Sequence, residues 1–231
     1  MFLGESYATG SGRVDTHQTY ATETARLLGW QVVVAGHSGT GLVNGGSLGK
    51  RFAELFIDQL AWRPAPDMLI IAGGHNDWRR EPPKVEAATL SLLAQVSRVW
   101  PDTHVLVIGP LWGGDPRPEA PAIRDAMKSA TGTAGVPFID PLAERWITGN
   151  RKDKTGNAAR YVMPDGIHPT RDGHRYLASR LVADLDGLGL TEPRLGEEVR
   201  EPRPEPRPEP RPERSTQGAE GASGSLRHQG P

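Results

Sequence analysis

The 231-residue sequence predicts an α/β domain of three layers, with a parallel sheet between two layers of helices. Three observations carry that expectation. Short runs of consecutive apolar, β-branched residues recur along the chain, without the alternation of a strand that has one wet face. Segments with apolar residues at helical spacing separate these runs. The stronger runs stop at glycine, where a strand would give way to a loop.

Phe2 and Leu3 begin the chain as a short first strand, stopped by Gly4. Residues 15–28 then read as a helix with Ala21, Ala25 and Leu28 in one stripe. A second strand covers residues 31–35 and ends at Gly36. Leu48, Phe52, Leu55, Phe56 and Leu60 follow helical spacing. Met68–Ala72 is the third strand, ended by Gly73 and Gly74. The next helix carries Val85, Ala88, Leu92, Val96 and Val99, and Pro82-Pro83 suits its first turn. His104–Ile108 is the fourth strand, ended by Gly109-Pro110. Ile123, Met127 and Ala130 mark another helix, and residues 137–140 a short fifth strand. Tyr176, Leu177, Leu181 and Leu185 form the stripe of the last helix, with Thr170 as its N-cap. Open parallel sheets bind ligands beyond the carboxyl ends of their strands. Ser6, residues 36–40 and residues 73–77 all fall at such ends.

The folded domain is expected over residues 1–190, with a tail over 191–231. Within that tail, Glu201-Pro202-Arg203-Pro204 begins a tetrapeptide repeat that runs through Pro212. Proline at every second position excludes helix and sheet and favours an extended polyproline chain. Residues 215–231, rich in Gly and Ser, read as disordered. A spacer is the expected role, a proline-rich ligand for an unidentified partner the alternative.

Lys+Arg 27 against Asp+Glu 28 gives a net charge of −1, which supplies no electrostatic reason for a nucleic-acid partner. The chain has no cysteine, which excludes disulfide and thiolate chemistry. No apolar run approaches the roughly 20 residues that span a bilayer. Met1-Phe2-Leu3 runs straight into Gly4 without the pattern of an export signal, so the chain as written reads as cytoplasmic. Its first strand is shorter than the usual five or six residues, which leaves room for a start, and a signal, upstream.

Three segments carry candidate chemistry. A serine hydroxyl such as that of Ser6 becomes a nucleophile when a positioned base takes its proton. A histidine serves as base and then acid near neutral pH, and an aspartate on its far nitrogen fixes the tautomer. Asp165 and His168 stand three residues apart, so one tight loop presents both. A tetrahedral intermediate needs donors aimed at its developing charge. The Asn76 amide and the Gly39 and Ser6 N–H groups are the candidates. Each element alone also fits a plain turn or cap.

Together these segments resemble the SGNH hydrolases, the GDSL-type esterases and lipases. The family's first block, Gly-Asp-Ser-x-x-x-Gly, is similar to Gly4-Glu5-Ser6-Tyr7-Ala8-Thr9-Gly10, with Glu5 in place of the aspartate. Its second block resembles residues 33–39, with Gly39 as the matching donor. Gly74-His75-Asn76-Asp77 matches Gly-x-Asn-Asp, and residues 165–169 match Asp-x-x-His-Pro. The resemblance runs from Phe2 to about Leu185. It implies a flavodoxin-like sheet of five parallel strands in order 2-1-3-4-5, and ester hydrolysis through an acyl-enzyme without metal or cofactor. It also implies that Ser6 attacks, His168 relays the proton, Asp165 orients His168, and Gly39 with Asn76 holds the oxyanion. Glu5 leaves the serine in place and bears on the hydrogen bonds made by the acid at that position.

Other signals in the chain fall short of their motifs. Thr40 breaks the Gly-x-Ser-x-Gly pattern around Ser38. Gly49-Lys50-Arg51 lacks the hydroxyl residue of a phosphate loop. Asp165, His168 and His174 do not make a zinc set. His75, Trp78 and Trp112 follow strand ends and are candidates to line a substrate pocket, while Trp30, Trp62, Trp100 and Trp146 read as packing. The expected substrate is a small ester with a short acyl group, or an acetylated carbohydrate. The alternatives are a glycan-binding protein that keeps the fold without catalysis, or an acyltransferase on the same site.

Overall fold

A computed structural model of the chain describes residues 1–12, 14–196 and 230. The expected proline-rich repeat, and residues 215–231 apart from Gly230, lie outside the described residues. The five strands are β1 (Phe2–Gly4), β2 (Val34–Gly36), β3 (Met68–Ala72), β4 (His104–Ile108) and β5 (Phe138–Ile139). All pair in parallel, in the order β2-β1-β3-β4-β5. The helices are α1 (Ser6–Thr9), α2 (Tyr20–Leu28), α3 (Phe52–Gln59), α4 (Pro82–Val99), α5 (Ala120–Ala134), α6 (Ala158–Tyr161) and α7 (Arg171–Gly187).

Successive strand side chains point to opposite faces, and here both faces are covered. Phe2, Ile70 and Leu106 enter one core with Tyr20, Trp146, Leu177, Leu181 and Leu185, beneath α2 and α7. Their neighbours Leu3, Ile71 and Val107 enter the other with Phe52, Phe56, Val85, Leu92 and Met127, beneath α3, α4 and α5. This is the three-layer α/β/α, flavodoxin-like arrangement. Each large side chain so buried contributes about 1.5–3 kcal/mol. Of the tryptophans read as packing, Trp146 and Trp100 are buried, but Trp62 is 68% exposed.

Four elements differ from the sequence expectation at their starts, and β5 is cut to Phe138–Ile139, the two residues that pair with β4. Strand β2 begins at Val34 rather than residue 31, because its ladder extends only where β1 lies beside it, from Phe2 paired with Val34. Residues 16–18 form a separate 3₁₀ turn before α2, and Thr19 is extended between them. Gly49 adopts a left-handed conformation that parts Leu48 from α3, leaving Leu48 exposed. Residues 191–196 run back along the amino ends of the strands. There Trp30 Nε1 donates to Thr191 O (2.9 Å) and Leu195 N donates to an Asp67 carboxylate oxygen (3.1 Å). No helix among the described residues is long and apolar enough to cross a membrane.

Candidate active site

Ser6 follows β1 directly and opens α1, so its hydroxyl stands at the carboxyl edge of the sheet. The segment before α7 brings its partners. There Met163 N donates to His168 O (2.8 Å) and Gly166 N to Met163 O (3.0 Å), which closes a tight loop. Asp165 Oδ1 accepts from the N–H groups of Ile167 (2.9 Å) and His168 (3.0 Å), and its Oδ2 takes the His168 Nδ1 hydrogen at 2.8 Å. With that hydrogen on Nδ1, the neutral ring offers Nε2 as an acceptor, 3.1 Å from Ser6 Oγ. Burial opposes the charge on Asp165, but the two N–H donors and the His168 ring outweigh it and hold the carboxyl below its ordinary range. The loop is fixed from two sides. Tyr7 Oη donates to Ile167 O at 2.6 Å, and Thr170 caps α7 by accepting from Gly173 N at 3.0 Å.

The loops after β2 and β3 meet beside Ser6. Gly39 has φ 80°, a left-handed turn that glycine makes without strain, and its carbonyl accepts from the Asn44 amide at 3.0 Å. Asn76 Nδ2 donates to Thr40 O at 2.8 Å and reaches Glu5 Oε2 at 3.3 Å. Asp77 ties the two loops together. Its fully buried carboxylate accepts from the N–H groups of Leu42 (2.8 Å), Val43 (3.0 Å) and Asn44 (2.8 Å). Gly41 is part of that fit, because a β-carbon there would collide with the Asp77 carboxylate. Burial pushes the Asp77 carboxyl upward, against the pull of these three N–H groups and of Arg80.

Sequence reasoning assigned no role to Asp77, Tyr7 or Thr40. A signal for the first was available: an acid after a fully buried strand needs donors, and a glycine-rich loop has N–H groups to offer. Glu5 is 2% exposed, with Oε2 2.9 Å from Ser6 Oγ. Burial raises its carboxyl to about 7, although the Ser6 hydroxyl and His168 pull it down.

His75 is buried. Its Nδ1 donates to Leu111 O at 2.9 Å, and its ring lies 4.3 Å from that of Trp112 and 5.6 Å from that of Tyr7. Burial lowers its pKa and so disfavours the charged ring. Tyr7 in turn lies 6.1 Å from the His168 ring, so His75, Trp112 and Tyr7 form an aromatic wall next to the Ser6–His168 pair. The Trp78 ring is packed by the guanidinium groups of Arg79 (4.2 Å) and Arg117 (4.5 Å). His174 is buried and accepts the Tyr20 N–H on Nδ1 at 3.0 Å. A cavity of about 700 Å³ lies at the opposite, amino edge of the sheet, lined by Met1, Trp30, Val33, Met68 and Arg194, and takes no part in this cluster.

A doubly covered parallel sheet with an aligned serine, histidine and aspartate at its carboxyl edge has the make-up of a hydrolase of the serine type. A sequence model of the GDSL-like lipase/acylhydrolase family matches residues 2–176, and the chain belongs to that family. It is a carboxylic ester hydrolase. It is 29% identical over 195 residues to the GDSL lipase Rv0518 of Mycobacterium tuberculosis, covering 78% of each chain. In fold it is similar to a family two carbohydrate esterase from Clostridium thermocellum, with a TM-score of 0.61 and 20% identity over 80% of this chain and 62% of the other. It is also similar to the aryl esterase of M. smegmatis, with a TM-score of 0.59 and 19% identity over 80% and 97%.

Proposed function

We propose that the chain hydrolyses short acyl esters or acetylated carbohydrates through an acyl-enzyme on Ser6. His168 takes the Ser6 proton as the hydroxyl attacks the ester carbonyl, and gives it to the departing alcohol. Asp165 holds the imidazole in the tautomer that does this and stabilises the imidazolium. The Asn76 amide and the Gly39 and Ser6 N–H groups receive the oxyanion, and His75 and Trp112 line the acyl or alcohol side. A water activated by His168 then releases the acid. The observation that carries the reading is the unbroken line from Asp165 Oδ2 through the His168 ring to Ser6 Oγ, at 2.8 and 3.1 Å. Similarity in fold to a carbohydrate esterase and an aryl esterase agrees with small ester substrates.

An organophosphonate should label Ser6 in the wild type. Ser6→Ala should lose both label and turnover of a short p-nitrophenyl ester while keeping its melting temperature. Retained turnover in Ser6→Ala would remove Ser6 as the nucleophile. A folded wild type that takes no label and cleaves no ester in a panel of acyl lengths and acetylated sugars would refute the reading.

A further inference from the structure

Glu5 has no part in the reaction proposed above, yet it touches two of its groups. Its Oε2 lies 2.9 Å from Ser6 Oγ and 3.3 Å from Asn76 Nδ2, and the side chain is sealed from solvent. Ser6 carries one hydroxyl hydrogen and has two acceptors in reach, Glu5 Oε2 and His168 Nε2, the latter at 3.1 Å. A charged acceptor makes the stronger bond. An ionised Glu5 therefore turns that hydrogen away from the base. It also draws the Asn76 amide hydrogen that an oxyanion needs, and it places a negative charge beside the one that develops. A protonated Glu5 does the reverse. Its O–H donates to Ser6 Oγ, the Ser6 O–H donates to His168 Nε2, and the His168 Nδ1–H donates to Asp165, so every hydrogen points one way.

Resting on Ser6 as the nucleophile, we propose that Glu5 is a positioning residue that must hold its proton for Ser6 to react, so that ionisation of Glu5 closes the active range on the alkaline side. The titratable groups facing Glu5 are His168 from the loop before α7, Tyr7 from α1 and Tyr20 from α2. Burial holds both tyrosines well above their ordinary range, so neither ionises near neutrality. Glu5 itself is raised by burial to about 7, which puts the change where it can be read.

The test is kcat/KM of the full chain on a short p-nitrophenyl ester from about pH 5.5 to about 9.5, with return to about pH 6.5 to show that any loss is reversible. Wild type should decline above about pH 7, toward a tenfold loss per pH unit. In Glu5→Gln the amide donates to Ser6 Oγ and cannot ionise, so the decline disappears and the variant exceeds wild type at pH 9 by roughly tenfold or more. Glu5→Ala supplies no donor and cannot ionise, so it should lower kcat below wild type at about pH 6 with little change in KM, a loss that Glu5→Gln restores, and its own profile should stay level to about pH 9.5. A level wild-type profile to about pH 9.5, or a Glu5→Gln variant that declines with wild type, overturns the proposal. If Glu5→Gln does not fold, the wild-type profile alone decides. Absence of both turnover and phosphonate labelling at every pH removes the esterase reading, and this proposal with it. Turnover with a level alkaline limb removes this proposal alone.

Discussion

Replacing Asp77 with asparagine tests how the loops that carry Gly39 and Asn76 are held. The carboxylate accepts three backbone N–H groups, Oδ2 from Leu42 and Oδ1 from both Val43 and Asn44. Asparagine offers one oxygen. Aimed at Val43 and Asn44, it turns its NH₂ against the Leu42 N–H and leaves that group buried without a partner. Such an orphan costs about 1–3 kcal/mol, and loss of charge weakens the two surviving bonds by about half. The sum is about 3 kcal/mol, which lowers Tm by about 6–12 °C in a fold of this size. The damage should also reach the site. Residues 42–44 anchor the loop that carries Gly39 and the Thr40 carbonyl that holds Asn76. In the proposed reaction this lowers kcat, by up to about 10²- to 10³-fold if the donor is lost outright. Thermal melts and steady-state kinetics at neutral pH measure both effects. Asp58→Asn is the control, because its partner Lys50 and the carboxylate are both about half exposed and such pairs contribute little. A Tm for Asp77→Asn no lower than that of the control, with kcat within about twofold of wild type, would refute the reasoning.

Three further outcomes are expected. Asn76→Ala should reduce kcat by roughly 10²- to 10³-fold with little change in KM, since in the proposed reaction the amide acts on charge that develops only in the transition state; an equal rise in KM with unchanged kcat would speak for substrate binding instead. Denaturant unfolding across the acid range should show Glu5→Gln gaining stability over wild type as pH rises, and His174→Gln losing its deficit or gaining an advantage as pH falls; parallel curves in either case would contradict the burial argument.

The sheet was legible because its signal is local and repeated. Met68–Ala72 and His104–Ile108 are strands at the expected residues, since a five-residue apolar run bounded by glycine leaves few alternatives. The exact start of β2 was not legible, because ladder length depends on the partner strand. The Ser6, Asp165 and His168 positions stood out by block order and spacing, and the structure places all three in line. The supporting residues were hidden for one physical reason. Their bonds run from a side chain to backbone far away in the chain, 160 residues from Tyr7 to Ile167 and 33 from Asp77 to Asn44. A backbone N–H or C=O has no identity in a sequence, so no residue type marks the far end of such a bond.

The opposed titrations of Glu5 and His174 explain why only differences between variants reveal either. Glu5 rises from an ordinary 4.5 to about 7 on folding, by burial, so the stability it contributes is full below 4.5 and is lost as pH climbs toward 7. His174 falls from an ordinary 6.5 to about 4, again by burial, so its contribution is full above 6.5 and is lost as pH drops toward 4. Each acts with a slope of about 1.36 kcal/mol per pH unit, with opposite sign, across their shared window of 4.5–6.5. Asp184, also raised to about 6 by burial and by Glu144, titrates within the same range. A wild-type stability curve therefore blends these groups. Subtracting it from that of Glu5→Gln leaves the Glu5 proton alone, a difference that should grow by about 3 kcal/mol between pH 4.5 and 7. The same proton is the one proposed to govern turnover. A midpoint for loss of stability that coincides with the alkaline midpoint of kcat/KM would tie both to one buried carboxyl, and midpoints more than about one pH unit apart would assign them to different groups.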